Sequence, residues 1–235
     1  MTPTELDPRS AANVRRARRE LIGDALARSV RRNPAREALR FEARSWTYAE
    51  LDAAANRVAH RLLALGLESG DRVAAYGRNS DAYVLLWLGC VRAGLIHVPI
   101  NYALRDAELG YIVEQSGARA LFCDPDMAEH VAALGPDLGC AWQGTLCGGN
   151  VHDVLAWAQA AGDATPPEIE VDEDDIAQLL YTSGTTAAPK GAMMSHRALL
   201  AEYASTLLAC DIRGEDRALA ALPLYHSAQM HVFLM

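Results

Sequence analysis

Between Thr182 and Lys190 the sequence places four hydroxyl side chains, Thr182, Ser183, Thr185 and Thr186, around one unhindered backbone position, Gly184, and closes on the ammonium group of Lys190. Hydroxyls and main-chain N–H groups at that density suit the oxygens of a phosphate, and the lysine adds the charge. Pro189 fixes its own φ and keeps Ala188 extended, so the loop is stiffer than a glycine-serine linker. The register is not that of a Walker-type loop, which needs Gly-Lys-Ser/Thr, whereas Lys190 stands between Pro189 and Gly191. A plain polar turn and a different kind of phosphate loop both remain open from these residues alone. A second candidate is Leu222-Pro-Leu-Tyr-His-Ser227. A lone histidine beside tyrosine is more often a satisfied core residue than a reactive one. His196 reads as a first-turn helix residue. His226 and His231 do not share a helix face, and the contiguous acids Asp172 to Asp175 do not converge on one ion, so neither group suggests a metal site.

The elements that must carry these groups follow from hydrophobic periodicity. Ile176 to Tyr181 is a short apolar run with β-branched and aromatic ends, the pattern of a buried strand feeding the loop. Beyond the loop, Ser195 caps a helix to about Cys210, and Arg217 to Leu222 is expected to be a strand that delivers Tyr225 and His226 to its end. Upstream, Leu21 to Val30 reads as a helix, and residues 38–41 and 45–47 as a hairpin. Thr47-x-x-Glu50 is a capping box opening a helix that stops at Gly66. Strands are then expected at 72–76, 95–100 and 119–123. Helices are expected at 81–93, 106–116, 126–134 and 151–161, with a short strand and loop within 138–150. This alternation implies an α/β fold, a mainly parallel sheet with helices on both faces. Ala164-Thr-Pro-Pro167 and the acids after it mark the one boundary. Residues 1–20 form an arginine-bearing lead-in, 21–165 a first α/β subdomain and 166–235 the start of a second.

The chain of 235 residues is 51% apolar and 22% charged, ordinary for a folded domain. Its formal charge of −8 argues against affinity built on a nucleic-acid backbone. Five scattered cysteines, Cys90, Cys123, Cys140, Cys147 and Cys210, suggest neither a disulfide framework nor zinc, and fit a reducing cytoplasm. No secretory signal is visible, and the uncharged run from Ala218 is too polar for a membrane span. The apolar end at Met235 leads us to expect a fragment.

With these elements in place, Tyr181-Thr-Ser-Gly-Thr-Thr-Ala-Ala-Pro-Lys-Gly191 resembles the signature loop of the adenylate-forming superfamily, which includes acyl-CoA synthetases. Leu222-Pro-Leu-Tyr-His226 resembles its second core motif, and Thr47-Tyr-Ala-Glu-Leu51 and Gly70-Asp-Arg-Val73 resemble its N-terminal landmarks, so the likeness runs from about residue 20 to 235. One departure is Ala187, where the family usually has glycine; a positive φ there would cost alanine about 1 kcal/mol. The resemblance implies the large N-terminal domain of such an enzyme, using ATP, Mg²⁺ and coenzyme A on a small carboxylic acid, either fatty or another acyl acid. In that chemistry Ser183, Gly184, Thr185, Thr186 and Lys190 hold the pyrophosphate, Thr182 helps hold it and ligates Mg²⁺, and Tyr225 lines the acyl pocket. His226, in the catalytic position, meets the carboxylate at the α-phosphate. The family's later motifs lie outside these residues, so the chain by itself is expected not to complete the reaction. The competing possibility is a nucleotide-binding or interaction module without turnover.

Overall fold

The structure is a computed structural model and describes residues 20–135, 138–149, 151–182, 188–228 and 230. Helix α1 spans Ile22–Arg32, and a hairpin of β1 (Glu37–Phe41) and β2 (Arg44–Thr47) leads into α2 (Tyr48–Ala64). Then follow β3 (Arg72–Tyr76), α3 (Asp81–Arg92), β4 (Ile96–Ile100), α4 (Asp106–Ser116) and β5 (Ala118–Cys123). A 3₁₀ turn at Pro125–Met127 runs into the short α5 (Ala128–Ala132), and β6 (Trp142–Thr145) precedes α6 (Val154–Gln159). The described elements close with β7 (Ile176–Thr182), β8 (Lys190–Ser195) and α7 (His196–Ala209).

Among the described residues, six strands form one sheet in the order β6-β5-β3-β4-β7-β8, parallel except for the last pair. Alternation along β3 explains the two layers. Val73 and Ala75 point into the larger core with α2, α3 and α6, while Ala74 and Tyr76 join Leu109, Ile112 and Val113 of α4 on the opposite face. The α/β expectation with helices on both faces is therefore met. Helix α3 is buried along its whole length from Asp81 to Val91, as its continuous apolar surface requires.

Caps set the helix starts where the sequence places them. Thr47 Oγ1 accepts the Glu50 N–H at 3.2 Å and the Glu50 carboxylate accepts the Thr47 N–H at 2.8 Å, completing the capping box. Ser195 Oγ accepts the Ala198 N–H at 3.2 Å. His196 is indeed the first residue of α7; it is buried, and its Nδ1 accepts the Ile22 N–H at 3.4 Å. The Gly70-Asp-Arg-Val73 turn staples the amino ends of three strands. Arg72 donates to the Ser116 and Gly117 carbonyls, Asp71 pairs with Arg119 at 2.7 Å, and the Gly70 N–H donates to the Gly94 carbonyl.

Three expectations are corrected. The chain after the hydroxyl-rich stretch does not pass straight into the helix capped by Ser195: it returns as β8, antiparallel to β7, with Lys190 opposite Thr182. Residues 217–222 are not a strand. Their carbonyls at Ala220 and Leu222 are occupied by the Asn79 side chain rather than by a ladder, and Leu219 and Leu222 are exposed. The helices expected at 126–134 and 151–161 are shorter, because Pro125 starts a 3₁₀ turn and Asp153 caps α6 from inside the expected span by accepting the Ala156 N–H at 2.8 Å.

β7 enters the sheet beside β4, with Gln178 opposite His97. Both are fully buried, and the Gln178 amide nitrogen lies 3.3 Å from His97 Nδ1. The rings of Tyr83 and Trp87 stand edge-on to the imidazole at 5.7 and 5.2 Å. Burial pushes the His97 pKa from its ordinary 6.5 down to about 3. A folded-state pKa below the unfolded one gives stability that is complete above 6.5 and drains as pH falls toward 3, at up to about 1.4 kcal/mol per pH unit. Urea unfolding midpoints between pH 7 and pH 5 should therefore fall more steeply for the parent protein than for His97→Gln. Equal slopes would remove His97 from the pH dependence.

Candidate functional site

Parallel strands open their carboxyl ends on one side of a sheet, and ligands collect there. In this protein a cleft of about 520 Å³ lies at that edge. Its floor is the end of β4, Pro99 and Ile100, running into Asn101. One wall is Leu180, Tyr181 and Thr182 of β7, with Pro189 just before the returning strand and Met194 on it, and the facing wall carries Tyr225, His226 and Ser227. Glu202, projecting from α7, also lines it.

Thr182 and Pro189, on either side of the hydroxyl-rich stretch, thus share one cleft with Tyr225 and His226, although 43 positions separate Thr182 from Tyr225. Thr182, the last residue of β7, is exposed and pairs across the hairpin base with the exposed Lys190. Ser183, Gly184, Thr185 and Thr186, together with Ala187, lie outside the described residues. Tyr225 packs edge-on against Tyr102, with ring centroids 5.3 Å apart, and the Arg78 guanidinium lies 5.9 Å from the Tyr102 ring centre. His226 is exposed at the cleft and its Nδ1 accepts the Ala228 N–H at 3.3 Å. A neutral ring that accepts at Nδ1 carries its proton on Nε2, which leaves that N–H as the donor.

Helix α4 braces the hairpin from below. The Tyr111 hydroxyl donates to the Pro189 carbonyl at 3.1 Å, and the Tyr181 hydroxyl donates to Gln115 Oε1. Burial first, and then the neighbouring Tyr111, raise the Tyr181 pKa, so this phenol stays protonated and donating. Gly191 sits opposite Tyr181, where a Cβ would come within 3.1 Å of the tyrosine ring. The glycine after Lys190 is what lets that ring lie across the hairpin.

Sequence reasoning did not single out Asn79, Asn101, Tyr111 or Glu202 as neighbours of the site. A half-buried asparagine in a turn and a glutamate on a helix carry no local signal of a distant partner. Among the described residues no group of three His, Cys, Asp or Glu side chains gathers as a metal cluster, and no helix is long and apolar enough to cross a membrane. Hard oxygen donors among the described residues lining the cleft include Thr182 and Glu202. Such oxygens suit Mg²⁺ that keeps water and takes phosphate oxygens for its remaining positions.

Comparison with known proteins identifies relatives of this chain. The family model described as AMP-binding enzyme matches residues 26–235. Feruloyl-CoA synthase of an Amycolatopsis species is 37% identical over 213 residues, which is 91% of this chain and 41% of that protein. The long-chain-fatty-acid–CoA ligase FadD13 of Mycobacterium tuberculosis is 34% identical over 78% of this chain and 36% of its own length. The chain therefore spans about two fifths of these curated relatives. Among solved structures, the N-terminal domain of FACL13 from Mycobacterium tuberculosis superposes with a TM-score of 0.81 at 27% identity, covering 92% of this chain and 54% of that one. ATP-bound MatB from Rhodopseudomonas palustris gives 0.80 at 32% identity, covering 91% and 42%.

The brace on the hairpin has a direct readout. Tyr111→Phe deletes one hydroxyl bond to the Pro189 carbonyl, about 1 kcal/mol, and amide hydrogen exchange at Lys190 and Ala192 should quicken about fivefold. Identical exchange in the two proteins would show that Tyr111 does not hold the hairpin.

Proposed function

The chain belongs to the AMP-binding enzyme family, and from that premise we propose that it provides the pyrophosphate and carboxylate sides of the active site of an ATP-dependent acyl-CoA synthetase. The observation that carries the proposal is the convergence of Thr182 and Pro189 with Tyr225 and His226 on one cleft at the carboxyl ends of β4 and β7, with Lys190 paired to Thr182 beside it. A carboxylate oxygen attacks the α-phosphorus of ATP; the bond from that phosphorus to the β-phosphate bridging oxygen breaks, and pyrophosphate leaves. In the second step the sulfur of coenzyme A attacks the acyl carbon of the adenylate. The bond from that carbon to the phosphate oxygen breaks, AMP leaves, and the thiol proton passes to solvent.

Both steps depend on position and on charge neutralisation more than on a protein nucleophile. Lys190 offsets charge on the leaving pyrophosphate, with Ser183, Gly184, Thr185 and Thr186 as its hydroxyl and N–H partners. Thr182 and Glu202 would hold Mg²⁺, which when bound neutralises phosphate charge. The Nε2–H of His226 is the donor for the carboxylate, and aligns the attacking oxygen. Ile100, Leu180 and Met194 give the cleft an apolar lining, which suits an acyl or aryl acid; the names of the relatives, feruloyl-CoA synthase and long-chain-fatty-acid–CoA ligase, support the same substrate class.

Carboxylate-dependent exchange of labelled pyrophosphate into ATP, measured on the full-length protein across aryl and fatty acids, tests the proposal. Exchange with at least one of these acids is expected. ATP binding without exchange for any acid would instead establish a nucleotide-binding module without turnover. In an exchanging protein, Lys190→Ala removes a charge-assisted contact worth about 1.5–3 kcal/mol, so kcat/KM for ATP should fall about 10- to 100-fold. An unchanged ATP dependence would take Lys190 out of the phosphate site.

A further inference from the structure

We propose that Asn79 is a positioning residue for the carboxylate side of the cleft, setting where Tyr225 and His226 stand; the proposal rests on the adenylation chemistry above. One side-chain amide makes three hydrogen bonds to the segment that precedes them. Asn79 Nδ2 donates to the Ala220 carbonyl at 3.1 Å and to the Leu222 carbonyl at 2.7 Å, and Oδ1 accepts the Leu224 N–H at 2.7 Å. Among the described residues this segment belongs to no strand, and Pro223 has no N–H to offer. The amide therefore takes the place of a sheet ladder, and fixes the backbone one residue before Tyr225. From there the chain turns on the His226 N–H bond to the Pro223 carbonyl, at 3.0 Å.

Asn79 can act as a reference point because its own turn is held on both sides. The Asp124 carboxylate accepts the Arg78 N–H at 2.7 Å, and Ser80 caps α3 by accepting the Tyr83 N–H at 3.1 Å. Gly77 lets the backbone pass close to that carboxylate: a Cβ there would lie 2.4 Å from Leu146 Cδ1 and 3.0 Å from Asp124. The pairing also specifies the residue type. Two carbonyls and one N–H demand two donors and one acceptor from a short planar group, which asparagine supplies. Aspartate keeps only the acceptor and sets a negative charge against two carbonyl oxygens.

The test uses the full-length protein and its Asn79→Asp and Asn79→Ser variants, the latter being the milder change should the aspartate fail to fold. Two measurements are made: hydrogen exchange at the Leu224 amide, and pyrophosphate exchange with both substrates varied. The expected result is Leu224 exchange at least tenfold faster, and a KM for the carboxylate at least tenfold higher, with the KM for ATP within twofold of the parent. The serine variant should fall between asparagine and aspartate. Unchanged exchange at Leu224 overturns the clamp. Faster exchange with both KM values rising together shows a merely structural role and overturns the positioning assignment. If the parent protein exchanges pyrophosphate with no acid, the adenylation reading fails and the assignment to the carboxylate side falls with it. In that case Leu224 exchange still reports separately whether Asn79 holds the segment.

Discussion

The cleft exists because β7 lies parallel to β4, and that neighbour relation depends on one polar contact inside the core. His97 and Gln178 face each other across the two strands, fully buried, with 3.3 Å between imidazole and amide nitrogens. Apolar side chains tolerate sliding, since one contact replaces another. A buried polar pair does not, because any other register leaves both groups desolvated without each other. The register set at His97 carries Ile100 to the same level as the end of β7. Thr182 and the carboxyl end of β4 therefore border one space.

The remaining polar contacts in the core secure connections rather than register. Asp81, at the first position of α3, is buried among apolar neighbours, and burial alone would raise its pKa. The bidentate Arg44 guanidinium, the Trp46 indole N–H and the Ala82 N–H outweigh that effect and leave it lowered. The charge thus persists, and it ties the β1–β2 hairpin to the start of α3. At the other end of the sheet, Arg72 and the Asp71–Arg119 pair close the amino ends of β3 and β5. Both clamps lie away from the cleft, whose polar side chains remain at its surface.

The elements themselves were largely legible. The capping box at Thr47, the cap at Ser195, the continuously apolar α3 and the alternating strand-helix pattern each follow from short-range chemistry, and the described structure has them. The return strand β8 was not legible, because Lys190-Gly-Ala-Met-Met-Ser195 is half exposed and has no β-branched run. Only its pairing with β7 makes it a strand. Residues 217–222 failed in the opposite direction: the pattern suits a strand, but among the described residues no neighbouring strand receives it. The backbone groups found a side-chain partner, Asn79, more than 140 positions away.

The hydroxyl-rich loop, its lysine and the Tyr-His pair were determined by the sequence alone, since the kinds of chemistry available depend on residue type. The α/β class was determined there as well, because period-2 and period-3.6 patterns are properties of consecutive residues. The tertiary structure alone decided that Thr182 and His226 share a cleft, that Tyr111 and Gln115 brace the hairpin, and that Asn79 holds the approach to Tyr225. Each of these is a contact between distant parts of the chain, and its energy depends on geometry that exists only after β7 has docked beside β4.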